Sequence, residues 1–243
     1  MERLSSKAAA GKSLLAAAAL TMLLAACAPT RVDANFPPVD RQLPPPQTII
    51  VQDFAPPAGG AVPDRGLGAR LGRALNPTAA STEGKENAAK AVDALARTLV
   101  EELRAAGLPA TRSNTVAPGT GTVVIVSGQL LSVDEGNRTR RNLIGFGAGH
   151  SDVTAAAQVY LAHDREAPQL IQSLTADAQS GRKPGAVATA GVGAASGRMA
   201  ETAAVGAGTS AASELLSANT EADAKRMGKE IAKNIAALFA VPR

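Results

Sequence analysis

Residues 153–179 read VTAAAQVYLAHDREAPQLIQSLTADAQ. Val153, Ala155, Ala157, Val159 and Leu161 alternate with Thr154, Ala156, Gln158 and Tyr160, the period of two that sends successive side chains to opposite faces of a strand. AHDREAP has the composition of a turn, and QLIQSLTADAQ returns as the second strand of a hairpin. A lone hairpin is at best marginally stable in water, so the flanking chain must supply further strands and a covering layer.

That chain carries both. TVVIVSGQLLSV (122–133) reads as a strand, and TIIVQDF (48–54) has the β-branched composition of a short buried one. Between them, Val92, Leu95, Leu99 and Leu103 fall three, four and four residues apart, one apolar stripe of a helix. Ser81 or Thr82 is placed to cap it, with Glu83 and Glu86 near its positive end. Gly107, followed by Leu108 and Pro109, stands where a left-handed C′ residue is wanted. The helix is therefore predicted from about Glu83 to Ala106, and the Gly- and Pro-rich stretch before it (55–81) as a long loop. A second helix follows Thr220, with Asp223 completing a capping box, Met227, Ile231, Ile235 and Leu238 as its stripe, and Pro242 as its stop. The expected fold class is α/β (α+β): a single mixed, mostly antiparallel sheet with two amphipathic helices packed on it.

The N-terminus reads as an address label. Arg3, Lys7 and Lys12 precede the apolar run SLLAAAALTMLLAA, which is too short to span a bilayer, since about 20 residues are needed. The run ends Leu24-Ala25-Ala26-Cys27. An apolar residue, two small ones and a cysteine resemble the lipobox of bacterial lipoproteins, in which the cysteine is acylated and becomes the mature N-terminus. Residues 1–26 are then a signal peptide and Cys27 the lipidation site. Cys27 is the only cysteine in the chain, so acylation leaves no thiol for a disulfide, for nucleophilic chemistry or for a metal. Ala28 follows in place of the aspartate of an inner-membrane retention signal, which favours the periplasmic face of the outer membrane. Residues 27–47 hold six prolines and read as an extended tether, able to span roughly 60 Å. The remainder, 48–243, is expected to be one periplasmic domain.

Charge excludes some partners. The whole chain carries 25 basic and 21 acidic residues; removing the three basic residues and one acidic residue up to Cys27 leaves 22 against 20. A balance of +2, with no tryptophan, one tyrosine and four phenylalanines, gives little electrostatic or stacking basis for nucleic acid.

Chemistry, if present, would lie in RNLIGFGAGHSD (141–152). Gly145, Gly147 and Gly149 form GxGxG, one residue short of a dinucleotide fingerprint, and a strand is predicted where a phosphate site needs a helix N-terminus. Gly149-His150-Ser151-Asp152-Val153 begins like a nucleophile elbow but has Val153 in place of the second glycine. His150, Ser151 and Asp152 on one extended chain cannot converge as a triad. His163 sits in a turn beside Asp164, and two histidines without spaced partners make no metal site. The reading is non-enzymatic, with neither cofactor nor metal. The alternating glycines fit a bend or a close backbone approach. Arg138, Arg140 and Arg141 just before them could grip a lipid phosphate or a partner's carboxylates. Together with Gly145, Gly147 and Gly149 they form the candidate partner-binding surface.

The lipobox, the proline tether, the strand TIIVQDF and SGQLLSVDEGNRTRRNLIGFGAGHSDVTAAAQVYL resemble domain-of-unknown-function family 4410, bacterial lipoproteins without an assigned activity. Gly136, Asn137, Arg141 and the glycine series carry most of the resemblance, which implies an α/β periplasmic domain and brings no catalytic residues. Not covered by it with any weight, Gly181–Ser213 is an insert almost entirely of Ala, Gly, Val, Ser and Thr, broken by Arg198 and Glu201, with a GxxxG pattern at Gly193–Gly197. Its uncharged runs are too short for spanning helices and long enough for spanning strands. Two functions follow as expectations: an outer-membrane lipoprotein that binds an envelope protein, or a subunit of an oligomeric secretion channel resembling the curli secretion lipoprotein.

Overall fold

The computed structural model describes residues 29–36, 43–115, 121–144, 147–164, 166–181 and 220–239. Cys27, Gly145, the expected signal peptide and nearly all of the 181–213 insert lie outside these residues.

Among the described residues six strands form one sheet: β1 (Thr30–Phe36), β2 (Thr48–Val51), β3 (Ala110–Arg112), β4 (Thr122–Asp134), β5 (Asp152–His163) and β6 (Gln169–Gln179), in the order β1-β6-β5-β4-β2-β3. The predicted hairpin is its centre. Asp152 pairs with Gln179 and Leu161 with Gln169 across β5 and β6, and β4 runs antiparallel to β5 from Thr122 opposite His163 to Asp134 opposite Asp152. β2 pairs parallel to both β4 and β3. The architecture is thus a mixed, mostly antiparallel α/β sheet, as the alternation required.

Four helices accompany it among the described residues: α1 (Leu67–Leu75), α2 (Pro77–Ala105), α3 (Arg138–Leu143) and α4 (Thr220–Leu238). α2 and α4 are the two predicted stripes, and both cover one face of the sheet. Leu95, Leu99 and Leu103 meet Met227, Ile231 and Ile235 over Val124, Val153, Ala155, Val159 and Leu174, all with zero exposure. The helices cross closely at Gly228, where a β-carbon would stand 2.8 Å from Leu95 O, so only glycine fits that crossing. On the opposite face Ile50, Val123 and Ile125 form a small second cluster with Tyr160.

Three expectations are corrected. α2 begins at Pro77 and not near Glu83; proline is favoured in the first helical turn, where its missing N–H costs nothing. The stretch 55–81, expected to be a loop, contains α1. Gly68 and Gly72 depress helix propensity there, against the strong helix formers Leu, Ala and Arg that make up the rest of α1. Thr30–Phe36, expected within the tether, is an edge strand antiparallel to β6, with Thr30 opposite Ala178. At the other end of α2, Gly107 (φ +82°) receives the predicted C′ geometry, and Leu108 N donates to Leu103 O at 3.0 Å.

Candidate functional site

The 136–150 connection, joining β4 to β5, is built around carbonyl oxygens and one buried arginine. Asn137 caps α3 by accepting from Arg140 N at 2.9 Å. Arg141, 8% exposed, turns inward and donates through Nη1 to Glu135 O at 2.9 Å and Gly149 O at 2.7 Å. Gly149 O also accepts from Asn137 N at 3.0 Å. A guanidinium excluded from water needs such acceptors, so Arg141 is the pin that folds the connection back on itself. Gly149 has φ +74°, and a β-carbon there would meet Asn137 O at 2.5 Å. Gly149 thus serves backbone approach, within a helix-and-turn connection and not along a strand.

α1 is tied to the same connection. Asp64 Oδ1 accepts from Gly66 N at 2.9 Å and from Arg138 N at 2.8 Å. Arg65 N donates to Gly136 O at 2.8 Å, and the Arg65 guanidinium pairs with Asp134 at 3.0 Å. Between α1 and the connection opens a cleft of about 400 Å³ lined by Arg65, Arg70, Arg140, His150, Asp134 and Asp152. A smaller one of about 180 Å³, lined by Lys90, Glu135, Arg138, Arg141 and Glu221 among others, lies between α2 and the start of α4. Of the candidate surface residues, Arg140 and Gly149 line the first cleft, and Arg138 and Arg141 the second. Gly147 (φ +87°) shapes the turn.

Beneath the connection lies a polar pair that sequence reading did not join. Ser151 and Asp223 both have zero exposure, and Ser151 Oγ donates to Asp223 Oδ2 at 2.5 Å. Arg226 donates to the other carboxylate oxygen and, at 3.3 Å, to Gln179 O. Ser151 N donates to Ser180 Oγ, and Ser180 N to Ser151 O, each at 3.0 Å. Burial pushes the Asp223 carboxyl up to about 7, against the opposing pull of the Ser151 hydroxyl and the Arg226 and Arg141 guanidiniums. The sequence pattern gives Asp223 a capping role; in the structure its carboxyl group is held by Ser151 and Arg226, and Thr220 is already helical. The 72 residues separating Ser151 from Asp223 left no periodic signal of their contact.

Neither histidine is drawn into this pair. His150 is exposed, with Nδ1 3.0 Å from Gly147 O. His163 sits at the opposite end of β5, 3.2 Å from Thr122 Oγ1. Among the described residues no cluster of His, Cys, Asp and Glu could hold a metal ion, and no helix is long and apolar enough to cross a membrane.

Residues 49–197 match the family model described as domain of unknown function (DUF4410). The chain belongs to that family. The DUF4410 match takes in the connection, Ser151 and, contrary to expectation, the first part of the insert to residue 197; it ends before Asp223, so the buried pair joins the matched segment to a helix beyond it. The chain's matches among solved structures include two of low score. The PelC dodecamer from Paraburkholderia phytofirmans is 12% identical, with 89% of this chain and 100% of that chain covered at a TM-score of 0.39. A point-variant PelC dodecamer from the same organism is 12% identical, with 88% and 100% covered at 0.36. No curated protein matches the chain.

Proposed function

We propose that this DUF4410 protein is a lipoprotein held by acylated Cys27 to the periplasmic face of the outer membrane, where it binds an envelope partner and catalyses no reaction. The observation that carries the reading is Leu24-Ala25-Ala26-Cys27 at the end of the apolar run, with no other cysteine in the chain. The buried state of Ser151 supports a non-catalytic role: its hydroxyl is committed to a carboxylate that is equally sealed, whereas a nucleophile must reach substrate. Both clefts are lined by charged groups of both signs, a rim suited to ionic contacts with a protein or headgroup. Arg138 and Arg140, both exposed and each lining one of the clefts, are the candidate contact residues.

Fractionation tests the anchor. The native chain should sediment with outer membranes and carry acyl label, and Cys27→Ser should lose both. Membrane association and label unchanged by Cys27→Ser would refute it. A photocrosslinker at position 138, on the cleft between α2 and α4, should then capture a discrete envelope protein.

The second reading, a channel subunit, draws on the leucines of α1, which a neighbouring copy could cover: Leu67, Leu71 and Leu75 are 73%, 66% and 81% exposed. A large ring in detergent with residues 181–213 protected from protease would favour it. A monomer cut freely there would reject it.

A further inference from the structure

β1 starts only three residues after Cys27, and Pro29 O already accepts from Gln179 N at 3.0 Å. Two residues of chain reach at most about 7 Å. An acyl group on Cys27 therefore holds the sheet itself close to the lipid, and no 60 Å tether intervenes. The pairing registers then say which end of the sheet is held. Thr30 lies opposite Ala178, Asp152 opposite Gln179 and Asp134 opposite Asp152. The anchored end is thus the end that carries the 136–150 connection, the arginine-lined cleft and α1. Three strand spacings of about 4.8 Å put β4 within roughly 15 Å of β1 along that edge.

α1 has the composition of a helix that lies in a membrane interface. At 100° per residue, Leu67, Leu71 and Leu75 share one face, while Arg73 falls on the opposite side and Arg70 on the flank. Arg73 donates to Asp64 O, which turns its side toward the domain and the leucine face away. No residue of α1 is buried. From Arg65 to Leu75 the chain has three arginines and no carboxylate, the charge that complements phospholipid phosphates. Leu143 and Ile144, half-exposed at the end of α3, add apolar surface beside the same connection.

We propose that this end of the sheet rests on the phospholipid bilayer, with Leu67, Leu71 and Leu75 at the boundary of headgroups and acyl chains and Arg70 and Arg140 on lipid phosphates. The inference rests on the acylated Cys27 proposed above. The partner surface then divides: Arg140 faces lipid, and the cleft between α2 and α4 remains for a protein.

The test uses the native acylated chain in vesicles of phosphatidylethanolamine and phosphatidylglycerol. Because acylation consumes the Cys27 thiol, Leu71→Cys and, separately, Glu166→Cys each offer one site for an environment-sensitive fluorophore. Glu166 lies in the turn at the far end of β5, about 35 Å away at 3.3 Å per residue. Acyl-chain-brominated lipid should quench the label at 71 several-fold more than the label at 166. A label at 71 that stays in water, or that is shielded without being quenched, overturns the inference; the latter result would assign the leucines to another copy or another segment of this chain. Intact mass separates the two claims. An unacylated Cys27 refutes the anchor and this inference together, whereas an acylated chain with a water-exposed label at 71 refutes the inference alone. Both variants should keep the native melting profile, because neither position belongs to the core.

Discussion

Two consecutive helices carry leucines at the same four-residue interval and place them in opposite environments. Leu95, Leu99 and Leu103 of α2 are wholly sealed between the sheet and α4, while Leu67, Leu71 and Leu75 of α1 are 66–81% exposed. Local sequence makes both helices amphipathic. Only α2 is long enough to lie along the sheet and meet a second apolar helix. An apolar stripe announces that something covers it without saying what, and for α1 nothing among the described residues does.

The comparison breaks most visibly if a leucine is removed from each helix. Leu99→Ala leaves a cavity in the α2–α4 core and should cost about 2–5 kcal/mol, read as a lower urea midpoint at unchanged slope. A loss below 1 kcal/mol would mean that this core is not packed as described. The acid beneath the connection sharpens the contrast next. The folded state holds the Asp223 proton up to about pH 7, while an unfolded aspartate releases it near 4. Between those values the folded chain binds more protons, so stability falls as pH rises, by at most about 1.4 kcal/mol per pH unit, and levels off above 7. Below about 4 the penalty is absent. Asp223→Asn should flatten that slope in urea titrations at pH 5, 6 and 7; an unchanged slope would place its origin elsewhere. Smallest is Leu71→Ser, which should shift stability in solution by less than about 0.5 kcal/mol while weakening retention on vesicles. A core-sized loss there would show that α1 packs against the domain.

How much of this was readable in advance follows from the range over which each feature is encoded. The β5–β6 hairpin, β4, β2 and the stripes of α2 and α4 declare themselves within windows of four to twenty-odd residues, and the sheet follows from the need to bury them. β3 has three residues and α3 six, too few to show a period. β1 hid in a proline-rich segment, although Val32 and Ala34 alternate with Arg31 and Asp33 in its sequence. At the site, the glycines announced a close backbone approach but not its form. Arg141 looked like its neighbours, and its burial depends on where Glu135 and Gly149 present their carbonyls. The Ser151–Asp223 contact arises from tertiary packing alone.

Hydrogen exchange over α1 tests most directly whether the bilayer completes its apolar face. Native acylated protein on vesicles should show amides of 67–75 slowed at least about tenfold relative to the Cys27→Ser chain in buffer, with α2 amides equally protected in both. Equal exchange of α1 in the two states would contradict the account.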